Sequence, residues 1–168
     1  MQLATARKYA EGIVEQLAPM CERVEIAGSI RRDRPECNDI DLVVMPKRGM
    51  LPHIRRRCLQ SRPHIREDGN EQLKITLNNG VRVDVYYVPV PEPDMFIRQE
   101  PPWGTRLLMR TGSERFNRWF AYAAGQKFLH WNPYFGLYRG QRCVACATEQ
   151  DMFNAIDVPY IKPEDRER

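Results

Sequence analysis

Three aspartates and one glycine turn carry the residue types that do phosphorus chemistry. Asp39 and Asp41 stand two apart at the head of an apolar run, and Asp84 stands inside another, Val83-Asp84-Val85. On a strand, residues two apart leave the same face. Asp39 and Asp41 therefore point together, while Ile40 and Leu42 point the other way. Carboxylates so close repel unless a cation lies between them. Mg²⁺ takes hard oxygen ligands, typically one or two carboxylates plus substrate phosphates. An acid such as Asp84 in an apolar strand is costly unless paired or metal-bound. Acids on neighbouring strands can hold two ions about 3.5–4 Å apart, the arrangement for in-line displacement at phosphorus. The complement is Gly28-Ser29-Ile30-Arg31-Arg32. A glycine there lets backbone N–H groups approach an anion, and the serine hydroxyl can donate to it. Arginine matches phosphate bidentately. Each feature alone has a plainer reading: a turn, a solvated strand edge, or an ion pair of Asp84 with Arg82 or Arg32. Their order and spacing together point to chemistry on phosphates.

These residues need elements to hold them. Apolar positions spaced at three and four predict a helix over 4–17, with Pro19 beyond its end. Val24 to Ala27 reads as a strand that Gly28-Ser29 breaks. Ile40 to Met45 reads as a second strand, and 51–60 as a helix carrying Arg55, Arg56 and Arg57. Leu73 to Leu77 and Val81 to Val88 read as strands joined by Asn78-Asn79-Gly80. Asn-Gly between apolar runs signals an antiparallel hairpin. Pro89, Pro91, Pro93, Pro101 and Pro102 mark an irregular connection. A helix follows over 113–125 with Ser113 as its cap. Residues 128–147 mix aromatics with short strand-like runs. Thr148 caps a last helix from Glu149 to Ala155. The polar tail from Lys162 is expected to fray. Trp131, Tyr134 and Phe135 could stack bases but read first as core.

The chain has 168 residues, which suits one domain or two small lobes. Apolar residues make up 42% and charged residues 29%, a balance that fits a folded chain and not a disordered one. The net charge of +4 permits a polyanionic partner without demanding one. No apolar run reaches the ~18 residues of a membrane span, and the first ten residues lack a secretory apolar segment. Cys21, Cys37, Cys58, Cys143 and Cys146 are an odd, widely spaced set, read as reduced thiols. Cys143-x-x-Cys146 is half of a zinc pattern with no second half.

Gly-Ser-x-Arg-Arg, then Asp-x-Asp, then Arg82-x-Asp84 resembles the signature of polymerase-beta-like nucleotidyltransferases. Thr111-Gly112-Ser113-Glu114-Arg115-Phe116-Asn117 resembles the Thr-Gly-Ser-x-x-Phe-Asn motif of family X DNA polymerases. Asp151-Met152-Phe153, with Tyr160, Pro163 and Arg166, resembles that family's closing segment. The resemblance implies an α+β fold: a palm over 1–105 with a mixed twisted sheet, an antiparallel hairpin and helices on one face, then a small α/β thumb over 106–168. It implies metal-dependent addition of nucleotides to a primer 3′-hydroxyl with pyrophosphate release, as in short-gap repair. Asp39, Asp41 and Asp84 would bind two Mg²⁺ ions, with Mn²⁺ an alternative, and Asp84 would help remove the hydroxyl proton. Gly28, Ser29 and Arg32 would hold the triphosphate. Gly112, Ser113 and Asn117 would shape the nucleotide pocket. Arg82, Arg115 and Arg118 would contact DNA. The implied partners are nucleoside triphosphates and a primer/template or gapped duplex. A monomer without membrane contact is expected, in the cytoplasm of a bacterium or an infected host.

Two departures stand out. The family carries Tyr-Phe before Thr-Gly-Ser, a pair that helps exclude the ribose 2′-hydroxyl; this chain has Met109-Arg110. The segment His130 to Tyr138 also differs from the family's Asn-Glu-Tyr-Gly. Two other readings stay open: a template-independent nucleotidyltransferase acting on RNA, a small molecule or a protein, and a DNA-binding scaffold with a dead site.

Overall fold

A computed structural model describes residues 1–90 and 100–167. The chain divides into two units, Met1–Val90 and Pro91–Arg168. In the first, helix α1 (Leu3–Leu17) precedes strand β1 (Cys21–Ile26), a short helix α2 (Gly28–Arg31) and strand β2 (Asp39–Pro46). Helix α3 (Leu51–Cys58), strands β3 (His64–Asp68) and β4 (Gln72–Thr76), and strand β5 (Arg82–Tyr87) complete it. The sheet order is β1-β2-β5-β4-β3. Strands β2 and β5 run parallel, and the other neighbours are antiparallel. This is the mixed sheet expected, and β4–β5 is the hairpin that Asn79-Gly80 predicts.

Alternation sorts the sheet into two faces. Ile40, Leu42 and Val44 of β2, Leu73 and Ile75 of β4, and Val83, Val85 and Tyr87 of β5 join Ala6, Ala10 and Leu17 of α1 and Ile54 of α3 in one core. The helices therefore cover one face. The other face is left to Asp39, Asp41, Lys74, Asp84 and Tyr86. Strand β3 was not expected. Its five residues are all exposed, so no apolar alternation marks them as a strand; β4 supplies the pairing at the sheet edge.

The second unit contains α4 (Trp103–Thr111), α5 (Glu114–Gln126), the antiparallel strands β6 (His130–Asn132), β7 (Gly136–Arg139) and β8 (Arg142–Ala145), and α6 (Glu149–Ala155). Leu108, Phe116, Phe120, Leu129, Leu137, Met152 and Phe153 form its core. Ring pairs such as Phe120–Trp131 at 4.9 Å and Phe120–Phe153 at 5.6 Å pack edge to face, the arrangement aromatic quadrupoles favour. Ser113 and Thr148 cap as expected: Phe116 N–H donates to Ser113 Oγ, and Asp151 N–H to Thr148 Oγ1, both at 3.0 Å. Helix α4 is a second element the sequence hides, because Pro101-Pro102 read as a loop. Proline suits a helix start, where its missing N–H costs nothing. Gly104 lets α4 close onto the chain before α6: a Cβ there would overlap the Thr148 backbone. Pro91 and Pro93 of the expected connection lie outside the described residues.

Two expectations fail in this unit. Tyr134 and Phe135 are exposed, not core; only Trp131 packs inward, donating its indole N–H to Thr105 Oγ1 at 2.8 Å. The tail is anchored at Arg166 instead of fraying there. Arg166 is 0% exposed and donates to Glu149 Oε1 at 2.6 Å and to the Ile161 carbonyl at 2.9 Å. The rings of Phe116, Phe153 and Tyr160 lie 5.2–5.4 Å from its guanidinium carbon. A polar composition concealed one arginine that has a built receptor.

Candidate active site

The parallel pairing of β2 with β5 sets the acids side by side. Asp41 is in register with Asp84, and Asp39 with Arg82. Asp84 is nearly buried, at 7% exposure, while Asp39 and Asp41 are half-buried. Tyr86 leaves the same face as Asp84, two residues on. Its hydroxyl stands 3.3 Å from Asp41 Oδ1 and 3.3 Å from Asp84 Oδ2, so one O–H sits between both carboxylates. Arg66 forms an ion pair with Asp84 and also donates to the Ile75 carbonyl. It is the residue at which β3 slips register against β4; a β-bulge of this kind re-aims a side chain.

The plainer reading of the sequence offers Arg82 or Arg32 as an ion-pair partner for Asp84. Arg66 holds it instead, and Arg82 donates to the Asn38 carbonyl at 3.4 Å. Arg66 escaped because its strand was not foreseen, and Tyr86 because a tyrosine in a β-rich run reads as packing. The spacing Asp84-x-Tyr86 was the available signal, since period 2 puts both on one face.

The glycine turn abuts the acids. The Ala27 N–H donates to the Asp41 carbonyl at 2.8 Å. Gly28 has φ +59°, and a Cβ on it would overlap Asp41 Oδ2. Only glycine fits that backbone at that spot. The neighbouring Ser29 Oγ is buried and has no hydrogen-bond partner. A buried hydroxyl without a partner costs free energy, and a ligand oxygen would satisfy it. Arg32 follows at the end of α2.

The donor set suits a hard cation: carboxylate oxygens of Asp41 and Asp84 in register, with Asp39 two residues before Asp41 on the same face. Among the described residues no three His, Cys, Asp or Glu side chains already converge as a metal site. The tight part is the Asp41–Asp84 pair, with Arg66 as its present counter-charge.

The remaining candidates lie around the α4–α5 junction of the second unit. Gly112 follows α4, and a Cβ on it would overlap Asn117 Oδ1. Asn117 donates to the Met109 carbonyl at 2.8 Å and to its sulfur at 3.4 Å. Its Oδ1 is buried without a partner. Ser113 is engaged as the α5 cap. Arg115 is exposed, and Arg118 pairs with Glu114 one turn away. Arg110 is half-buried. No helix among the described residues is long and apolar enough to cross a membrane.

Residues 106–167 match the family model of the DNA polymerase beta thumb. The whole chain also matches polymerase beta of Leishmania infantum in two solved structures. With its ternary P/T complex it shares 20% identity at a TM-score of 0.75, covering 100% of this chain and 77% of that one. With the ternary gap complex it shares 19% at 0.74, covering 100% and 71%. No curated protein matches the sequence. Residues 106–167 carry the polymerase-beta thumb, and the whole chain has the fold of polymerase beta.

Proposed function

We propose that the protein is a DNA polymerase that transfers a nucleotidyl group from a nucleoside triphosphate to a primer 3′-hydroxyl, most readily at short gaps. The carrying observation is the register of Asp41 with Asp84 beside a glycine turn that only Gly28 can make. Ser29 offers a buried hydroxyl to a phosphate oxygen, and Arg32 adds a guanidinium for the triphosphate. Asp84 faces the acid side of the sheet and would accept the proton of the attacking hydroxyl. Arg66 and Tyr86 fix the orientation of its carboxylate. Divalent cations held by Asp41 and Asp84, with Asp39, would neutralise charge that develops on the phosphoryl oxygens. Gly112, Ser113 and Asn117 would line the nucleotide pocket, and Arg82, Arg115 and Arg118 would contact DNA phosphates. The P/T and gap complexes of the Leishmania protein agree with a primer/template partner.

The test is extension of a labelled primer on a gapped duplex with Mg²⁺ and all four triphosphates. Addition of the templated base supports the reading; no incorporation with any divalent ion or acceptor refutes it. One observation favours a second reading, a template-independent transferase. The Asn117 amide is spent on Met109, which stands where the family has an aromatic. Equal extension of single strands, indifferent to template and accepting ribonucleotides, would favour it.

A further inference from the structure

The nucleotidyl-transfer reading leaves the Cys143-x-x-Cys146 pair unused. In a regular strand, residues three apart face opposite ways. Here Tyr138 opposes Cys143 while Leu137 opposes Ala145, so Val144 is an extra residue on β8. That is a β-bulge. Cross-strand partners share a face, and Leu137 and Tyr138 leave opposite faces. Cys143 therefore lies with Tyr138, and Ala145 lies with Leu137 in the core. Cys146 comes next and returns to the face of Cys143. The bulge converts a spacing of three into a same-face pair.

The side chains meet there. The Cys143 thiol donates to the Ala145 carbonyl at 3.7 Å, and both cysteines crowd the same spot beside Gly136. Gly136, at φ +134°, makes the room: a Cβ on it would stand 2.7 Å from Cys146 Cβ and 3.1 Å from Cys143 Sγ. Cys143 is exposed; Cys146 is half-buried, and its thiol donates to the Glu100 carbonyl at 3.6 Å. Cys21 and Cys37 are buried.

We infer that Cys143 and Cys146 are a reactive dithiol that closes to an intramolecular disulfide by exchange with a low-molecular-weight disulfide such as oxidised glutathione. The Cys143 thiolate attacks one sulfur of that disulfide; its S–S bond breaks, and one thiol leaves with a proton. Cys146 then gives up its proton, and its thiolate attacks Cys143 Sγ, expelling the second thiol. Two protein thiols are oxidised, and one small disulfide is reduced to two thiols. Burial, helped by the neighbouring Cys143, pushes the Cys146 thiol up to about 12. In the adduct Cys143 no longer adds to this shift, and burial keeps the Cys146 thiol raised, so the second step speeds up in alkali. Closure also removes the S–H that serves the Glu100 carbonyl.

The test uses the reduced full-length protein, oxidised glutathione, alkylation of residual thiols and peptide mass spectrometry. The expected product has two alkylable thiols fewer than the five present, with the missing pair mapping to Cys143 and Cys146. Cys146→Ser should stop at a glutathione adduct on Cys143. Closure of the wild-type adduct should accelerate about tenfold per pH unit. Five thiols that persist, a wild-type adduct that stays open in alkali, or missing thiols that map to other cysteines would overturn the assignment.

Discussion

Both units bury charge, and they treat it in opposite ways. In the second unit Arg166 and Glu149 are sealed together. Arg166 has a carboxylate, a backbone carbonyl and three ring faces around it, and Tyr160 donates to Glu149 at 3.0 Å. In the first unit two acids stand in register, and Arg66 pairs with Asp84. Two carboxylates share one tyrosine hydroxyl through 3.3 Å contacts, and the Ser29 hydroxyl beside them has no partner at all. Arg166 Nη2 and Ser29 Oγ are both buried without a hydrogen-bond partner, but the first belongs to a closed ion pair, while the second stands beside two carboxylates in register, where a phosphate and its cation would meet both demands. That difference separates the fold's own ion pair from the candidate site, although sequence alone shows both as acids and arginines scattered in apolar surroundings.

The largest effect should come from Asp84. Asp84→Asn keeps shape and removes charge, so primer extension should fall at least about a thousandfold, the several kcal/mol that metal-assisted charge stabilisation supplies. The thermal midpoint should move little, since Arg66 loses its charged partner while Asp41 loses a crowding neighbour. Loss of folding with loss of activity would erase the contrast with Arg166, because the acid would then be structural. Retained extension would remove Asp84 from the proposed chemistry.

Arg166→Met should do the reverse. Breaking a buried pair leaves Glu149 uncompensated and costs about 3–5 kcal/mol, read as early melting of the second unit. The double variant Arg166→Met with Glu149→Gln should recover part of that loss, because no lone charge remains. A single variant as stable as wild type would show that the ring faces, not the carboxylate, hold the tail.

Gly28→Ala is the next smaller change. A Cβ would meet Asp41 Oδ2 on a backbone at φ +59°, and left-handed strain adds roughly 1–2 kcal/mol. Extension should drop about tenfold with little change in melting of the second unit. Normal activity would mean that the turn does not set the position of Asp41.

The contrast also explains which parts of the molecule were legible from residues alone. Alternation around Asp39, Asp41 and Asp84 and the Asn79-Gly80 turn gave the sheet and its acid face, because each strand has one apolar side. Strand β3 carries no such pattern, so Arg66 was invisible as the partner of Asp84. Helix α4 was hidden behind Pro101-Pro102, whose local signal is a loop. Arg166 sat in a polar tail whose average composition says nothing about one side chain. Short-range periodicity was readable; long-range pairing of single charges was not, since it depends on what the fold brings opposite.

The smallest predicted effect tests the acid side most finely. Tyr86 lends one hydroxyl to two carboxylates, and one O–H can point along only one of those contacts at a time. Tyr86→Phe deletes that donor and keeps the ring that packs in β5. The acceptors are carboxylates, but at 3.3 Å both contacts are long, so the bond is worth about 0.5–1.5 kcal/mol and extension should change only about two- to tenfold. The direction of the change carries the information. If the hydroxyl serves to orient Asp41 and Asp84, maximal rate should fall and the half-saturating Mg²⁺ should hold. If it competes with the cation for the same oxygens, half-saturating Mg²⁺ should fall, and direct Mn²⁺ binding to the protein without DNA should tighten in parallel. A variant unchanged in both would reduce Tyr86 to a packing residue and leave the ordering of Asp84 to Arg66.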